Sequence, residues 1–377
     1  GKKFCWNRES TGPVGRLSTE GLEEFLAVFA LELGNSTNAE KLKTLFHEAY
    51  LKHTNLADAT RYLANALFGD YGLVILDADD ANLKRQFIPF IKEELLKQTA
   101  FSKVNETIEQ FGNYTVQVNP REINLFFIED NLRERIIFED GGYKINNTKI
   151  HFSEQELLAE LELHPEKFSP NVVMRPLYQE VILPNLAYIG GGGEIAYWLE
   201  LKSFFDAVKV TFPMLIVRNS VVLATEKQLK KADALALNWS DLFQKQTLLI
   251  NNKTKQLSEF DIDLSDLKQQ LQQQFQALNE LTYKTDRSFE GAVKAQEVKQ
   301  TKGLEQLEKR LLKAQKRKLA DSLSRITALQ NELFPNQSLQ ERQANFSEFY
   351  LENGEQLLPK LVNEIKPLST NFTIITF

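Results

Sequence analysis

From Ser18 to Phe111 apolar residues recur at three- and four-residue steps, as at Leu22, Phe25, Leu26 and Phe29, which predicts a series of amphipathic helices. Within that stretch Tyr71 to Asp77 reads YGLVILD, a short continuous apolar run that predicts a parallel strand buried on both faces, with a helix following in LKRQFIPFIKEELL. Between Val116 and Phe152 the pattern alternates, as in INLFFIED, RERIIFED and YKINNTKIHF. This predicts a small antiparallel insertion with a turn at Gly141 and Gly142. Ser153 and Glu156 have the spacing of a capping box, so a helix starts there and runs toward His164 and Pro165. From Ser169 to Thr225 the α/β rhythm returns, broken by Pro176, Pro184 and the tetrad Gly190, Gly191, Gly192, Gly193; FPMLIVRNSVVLAT then adds two β-prone runs.

Beyond Trp239 the chain turns to Leu, Gln, Lys and Glu with almost no Pro or Gly. Leu264, Leu267, Leu271, Leu278 and Leu281 follow three-and-four spacing, Leu304, Leu307 and Leu311 do the same, and Leu319, Leu323, Ile326 and Leu333 resume the seam after a shift. Two long helices paired antiparallel, with a turn around Thr285 to Gly291, would bury these stripes on each other. Pro335 stops the pattern, and TNFTIITF reads as a final strand. The expected organisation is an α/β body over residues 1–238, an antiparallel helical coiled-coil hairpin over 239–334, and a return to the body over 335–377.

The 377 residues fit two or three core-bearing units, and 26 Phe with 10 Tyr exclude global disorder. A formal charge of -6 argues against a strongly basic nucleic-acid coat. Nine cations between Lys294 and Lys318, Arg310 and Arg317 among them, face only Glu297, Glu305 and Glu308, a local net of about +6. That arm is expected to be a solvated, acid-pairing face. The alternative is a non-catalytic coiled-coil protein that recruits nucleic acid or a protein partner. A single cysteine, Cys5, fits a reducing cytoplasm, and no apolar run approaches the roughly 20 residues of a membrane span. The first residues are not a signal peptide and do not begin with Met, so a fragment of a longer protein is expected. Four scattered histidines and one cysteine predict no metal site, and no G-x-S-x-G elbow is present.

The densest candidate chemistry lies between Asn171 and Trp198. Successive glycines let backbone N–H groups converge on an anion, and a helix beginning at Glu194 would add its positive end. The tetrad lacks both the dinucleotide spacing and the G-K-[ST] of a phosphate loop, which leaves a general anion or amino-acid cradle. Arg175 can clamp a carboxylate with two parallel hydrogen bonds. Asp77, at the end of the predicted strand, is placed to meet a ligand or to cap the next helix.

Together SPNVVMRPLYQEVILPNLAYIGGGGEIAYW (Ser169 to Trp198), YGLVILDADD (Tyr71 to Asp80), VNPREINLF (Val118 to Phe126) and SLQERQANFSEFYLENGEQLL (Ser338 to Leu358) resemble the bacillithiol biosynthesis cysteine-adding enzymes, the BshC family, across essentially the whole chain. The resemblance implies a Rossmann-like core with connecting insertions, similar to that of class I aminoacyl-tRNA synthetases, and a long antiparallel coiled coil that makes a homodimer. It implies a cytoplasmic ligase that joins L-cysteine to glucosaminyl malate, with ATP or ADP as a possible ligand of unsettled role. Members begin upstream of Gly1 with the first Rossmann strand and an acidic, histidine-containing segment expected to line the active site. On that reading Arg175 or Arg218 clamps the substrate carboxylates, Gly190 to Gly193 offer N–H donors, and Glu194 or Asp77 holds an ammonium. Gln179, Tyr188, Tyr197 and Trp198 either wall the pocket or pack the core, and Arg342 and Asn345 either contact a nucleotide or close a helix end.

Overall fold

The computed structural model describes residues 4–285 and 287–377. They form two units, one from the chain up to Asn219 with Phe346–Asn371, the other from Ser220–Asn345 with Phe372–Phe377.

The first unit opens with α1 (Leu22–Leu33), α2 (Thr37–Leu51) and α3 (Leu56–Phe68). Ser36 and Asn55 start the latter two by accepting the backbone N–H of Ala39 and Asp58. α4 (Ala81–Lys97) and α5 (Thr99–Glu109) follow. The alternating region then folds as β1 (Leu125–Glu129), β2 (Leu132–Glu139), β3 (Gly142–Ile145) and β4 (His151–Phe152). Asp140 and Gly141, both at positive φ, form the two-residue turn between β2 and β3. After α6 (Glu154–Leu163), which carries the expected Ser153–Glu156 capping box, β5 (Phe168–Pro170) joins the same sheet, ordered β4-β3-β2-β1-β5. The antiparallel part is therefore one strand larger than its sequence pattern suggests.

α7 (Arg175–Ile182), β6 (Ala187–Gly190), α8 (Gly192–Leu199), α9 (Lys202–Ala207) and β7 (Met214–Val217) complete the α/β stretch. β6 and β7 run parallel, with Gly190 opposite Val217. A single core joins α4, β1, α7, α8 and α9 through Phe87, Ile91, Phe127, Leu177, Trp198 and Phe205.

The apolar run Tyr71–Asp77 is not a strand. It has no ladder partner among the described residues, and Val74 is 76% exposed. An apolar run fits a buried strand only where a neighbour receives its backbone groups. Here the chain turns instead, with the Asp79 N–H donated to Asp77 Oδ1 and the Asp80 N–H to the Asp77 carbonyl. Asp80 is the residue that caps α4. Asp79 pairs with Arg16 and with the buried Lys84, whose ammonium also donates to the Glu166 carbonyl. Burial raises the Asp79 carboxyl, but Arg16 and Lys84 outweigh it and hold the group below its ordinary value.

The second unit contains β8 (Val221–Ala224), α10 (Glu226–Ala234), α11 (Trp239–Leu242), α12 (Gln246–Gln256), α13 (Ser265–Thr282), α14 (Arg287–Lys318) and α15 (Ala320–Leu333). α16 (Phe346–Asn353) and α17 (Leu357–Glu364) return to the first unit, where Phe346 stacks on Phe46 of α2. β9 (Thr373–Thr376), the expected last strand, pairs in parallel with β8. The Gln340 side chain bonds both backbone groups of Leu223, acting as a further rung on β8.

α13 and α14 are antiparallel, since Lys268 meets Glu308 at 2.6 Å while Glu259 meets Lys318. The chain reverses at Tyr283–Thr285, and Gly291 lies inside α14; Asp286, within the expected turn, falls outside the described residues. The hairpin departs from expectation in two ways. Its first arm is interrupted between α12 and α13, and its seam keeps Leu264 and Leu271 but replaces the other expected leucines with their C-terminal neighbours. Leu264, Lys268, Leu271, Phe275 and Thr282 face inward, while Leu267, Leu278 and Leu281 are exposed. Two overlapping heptads compete here. The Lys268–Glu308 pair, with the Leu264 N–H also on Glu308, fixes the register in favour of Phe275.

Candidate active site

Asn171 begins the site by accepting the backbone N–H groups of Val173 and Met174 on its side-chain oxygen and that of Arg175 on its carbonyl. This cradle starts α7 with Arg175 in its first turn and Pro176 next, where a missing N–H costs nothing. The Arg175 guanidinium donates to Gln179 Oε1 at 3.1 Å one turn on, to Tyr197 Oη at 2.6 Å, and to Tyr188 Oη at 3.5 Å. All three acceptors are neutral oxygens. Burial opposes the arginine's charge, and the two tyrosine oxygens more than offset it, so the guanidinium is held above its ordinary value. Burial likewise raises the Tyr188 hydroxyl, against the pull of Arg175.

Tyr188 lies on β6 and Tyr197 on α8, so Arg175 ties three elements together. The Tyr188 ring stacks on the buried Trp198, with centroids 4.0 Å apart. Gly190 ends β6 where a Cβ would come within 2.7 Å of the Tyr188 ring and 3.3 Å of Glu194 Cβ. Only glycine permits that approach. Gly190→Ala should displace the Tyr188 ring from Arg175 and lower the melting temperature; an unchanged melting temperature and an unmoved ring in a crystal structure of the variant would show that the ring absorbs the methyl group.

α8 begins at Gly192 rather than at Glu194, so Gly192 and Gly193 belong to its first turn. They are exposed, and a Cβ on either would meet nothing within 4 Å. First-turn N–H groups have no carbonyl within their own helix to bond. Glu194 is the third helical residue, and its carboxylate accepts the Gly191 N–H at 2.9 Å. Glu194 thus caps its own helix with one carboxylate oxygen. Arg218 follows β7 and donates its backbone N–H to the Gly190 carbonyl at 2.8 Å. Arg218, the glycines and the start of α8 thus meet at the carboxyl edge of two parallel strands, where open α/β sheets bind ligands.

Asp77 does not join the Arg175 contacts. One of its oxygens holds the turn to Asp79, and that turn is anchored to α7 because the Tyr178 hydroxyl donates to the Ala78 carbonyl at 2.9 Å. Burial first, then Asp79, Asp80 and Asp77, push the Tyr178 hydroxyl well above its ordinary value, so it stays a donor. Tyr178 had no signal beyond its place in the dense segment. Arg342 and Asn345 lie in the second unit, Arg342 in the short turn Gln340–Arg342, and both are exposed. Among the described residues no group of three or more His, Cys, Asp or Glu could hold a metal ion, and no helix is long and apolar enough to cross a membrane.

A cation gripped by neutral oxygens lies beside a glycine-started helix on a parallel sheet edge, in an α/β protein that also carries a coiled coil. Comparison with known proteins sharpens this. Residues 1–219 match the N-terminal Rossmann-like domain of bacillithiol biosynthesis BshC, and residues 221–377 match its C-terminal coiled-coil domain. The chain is 72% identical to the "Putative cysteine ligase BshC" of Flavobacterium johnsoniae over 376 residues, covering 100% of this chain and 71% of that protein. Like-named proteins of Flavobacterium psychrophilum and Christiangramia forsetii are 62% and 56% identical, again over 100% of this chain and 71% of theirs. The chain belongs to the bacillithiol biosynthesis BshC family.

Proposed function

We propose that this chain, as a bacillithiol-biosynthesis ligase of that family, joins the carboxyl of L-cysteine to the amine of glucosaminyl malate as the last step toward the thiol. The observation that carries the reading is Arg175, a half-buried cation whose own contacts are all neutral. Burying a charge without a counter-ion is costly, and a malate carboxylate supplies the missing partner in the fork geometry guanidinium prefers. The Gly192 and Gly193 N–H groups at the start of α8 offer donors to the second carboxylate or to the oxyanion that develops as the amide forms. Tyr188, Tyr197 and Trp198 keep water away from the carboxyl that must meet an amine. The thiol chemistry fits a reducing cytoplasm, where a lone exposed Cys5 also stays reduced.

Amide formation removes water overall and needs an activated carboxyl. A nucleotide, ATP or ADP, is proposed to bind at Arg342 and Asn345. Incubating the enzyme with cysteine and glucosaminyl malate, with and without ATP, and weighing the products by mass spectrometry tests the whole reading. A product at the mass of the amide supports it, and no such mass under either condition removes it.

The exposed leucines of α13 carry the proposal of a homodimer. Leu267, Leu278 and Leu281 keep heptad spacing but point away from α14, and Leu307 is exposed on α14. A second copy of the hairpin would cover this stripe. The double variant Leu267→Glu/Leu278→Glu should run as a monomer in light scattering, and a dimer that survives it places the interface elsewhere.

A further inference from the structure

Behind Arg175 lies a chain of buried polar groups that the reaction does not itself require. Glu94 of α4 is 1% exposed and Asn124 is 0% exposed. The Glu94 carboxylate accepts the Asn124 backbone N–H at 3.0 Å and its side-chain amide at 2.8 Å, and also the Ala100 N–H that opens α5. Asn124 then turns its one side-chain oxygen to the Asn171 amide at 2.9 Å and to the Arg121 N–H at 3.0 Å, while its carbonyl accepts the Asn171 N–H. Asn171 is the residue that sets the first turn of α7.

The donors and acceptors match in one direction only. Glu94 is an acceptor and fixes which end of the Asn124 amide is nitrogen, so its oxygen faces outward. That oxygen in turn fixes the nitrogen of Asn171, whose remaining oxygen must face the N–H groups of Val173 and Met174. Each amide therefore has a single orientation. A polar chain this deep carries a large penalty for any unmade bond, and it satisfies backbone N–H groups of Ala100, Arg121 and Asn124 that an apolar packing would leave without acceptors. What it adds is a fixed angle for α7.

We infer that Glu94, Asn124 and Asn171 are positioning residues that aim the Arg175 guanidinium at the substrate carboxylate, so that the affinity for a dianionic substrate is set partly from α4. The inference rests on the reading of Arg175 as the clamp.

Asn171→Ser separates positioning from folding, because serine keeps an oxygen able to accept the first-turn N–H groups but loses the donor to Asn124. Asn124 Oδ1 still accepts the Arg121 N–H in this variant, so no acceptor is left empty and it should melt close to the parent. Its KM for glucosaminyl malate should rise about tenfold while kcat changes less than about twofold, the scale of one misdirected hydrogen-bonded contact. Asn171→Asp, which sets two acceptors face to face, should be worse than serine in KM.

The double variant Asn171→Ser/Arg175→Ala decides the mechanism. If Asn171 acts through Arg175, its effect on KM disappears once the guanidinium is gone. A full tenfold effect that persists in the Arg175→Ala background overturns the positioning role and leaves the clamp standing. Unchanged KM in Arg175→Ala alone overturns the clamp itself, so the two failures are told apart.

Discussion

Arg175→Ala should lower kcat/KM for glucosaminyl malate by on the order of a hundredfold to a thousandfold, the cost of removing one partner from a desolvated charge pair. The fold should survive. Arg175 is only half-buried, and the hydroxyls of Tyr188 and Tyr197 can turn to water when it is gone. Arg175→Lys keeps the charge but not the fork, and should recover part of the loss through KM. Steady-state kinetics on both variants, with circular dichroism to confirm folding, checks this. Wild-type turnover in Arg175→Ala would remove the clamp and move the search to Arg218.

Asp79→Ala should destabilise the first unit by about 2–4 kcal/mol. Asp79 neutralises Lys84, whose side chain is 4% exposed, and also holds Arg16 at 2.5 Å. Without it an ammonium is buried against a single carbonyl. The lower part of the range allows for the water that Asp79 itself retains at 29% exposure. In a unit of this size the melting temperature should fall by on the order of 5–10 °C. The pH dependence has a definite sign. The folded carboxyl lies below its unfolded value, so its contribution is complete above about pH 3.9 and is lost as pH falls through the folded value. The gap between wild type and variant should therefore be widest near neutrality and close in acid. A gap that widens in acid would mean that Asp79 is not the ionised partner.

Local patterns in the chain mapped well onto the elements that depend on neighbours in sequence. The capping box at Ser153 and Glu156, the antiparallel strands from Leu125 to Phe152 and the last strand at Thr373–Thr376 all form where periodicity and turn chemistry place them. The grouping of Arg175, Gln179 and Tyr188 was legible for a related reason. They lie within fourteen positions, and i to i+4 spacing on a short helix brings the first two together. Tyr71–Asp77 and part of the coiled-coil seam differ from their sequence pattern because both depend on a partner. The former lacks a strand beside it among the described residues, and the latter had two overlapping stripes from which to choose.

Residue order alone determined most helices, the antiparallel strands and the family to which the chain belongs, since these follow from side-chain period, turn chemistry and local spacing. Only the three-dimensional arrangement decided that Asn124, 47 positions before Asn171, aims the first turn of α7, that Glu194 caps its own helix, and that Leu278 faces outward while Phe275 faces in. Those outcomes turn on which distant donors, acceptors and apolar faces end up adjacent, and adjacency across the chain is set by packing rather than by any short stretch of it.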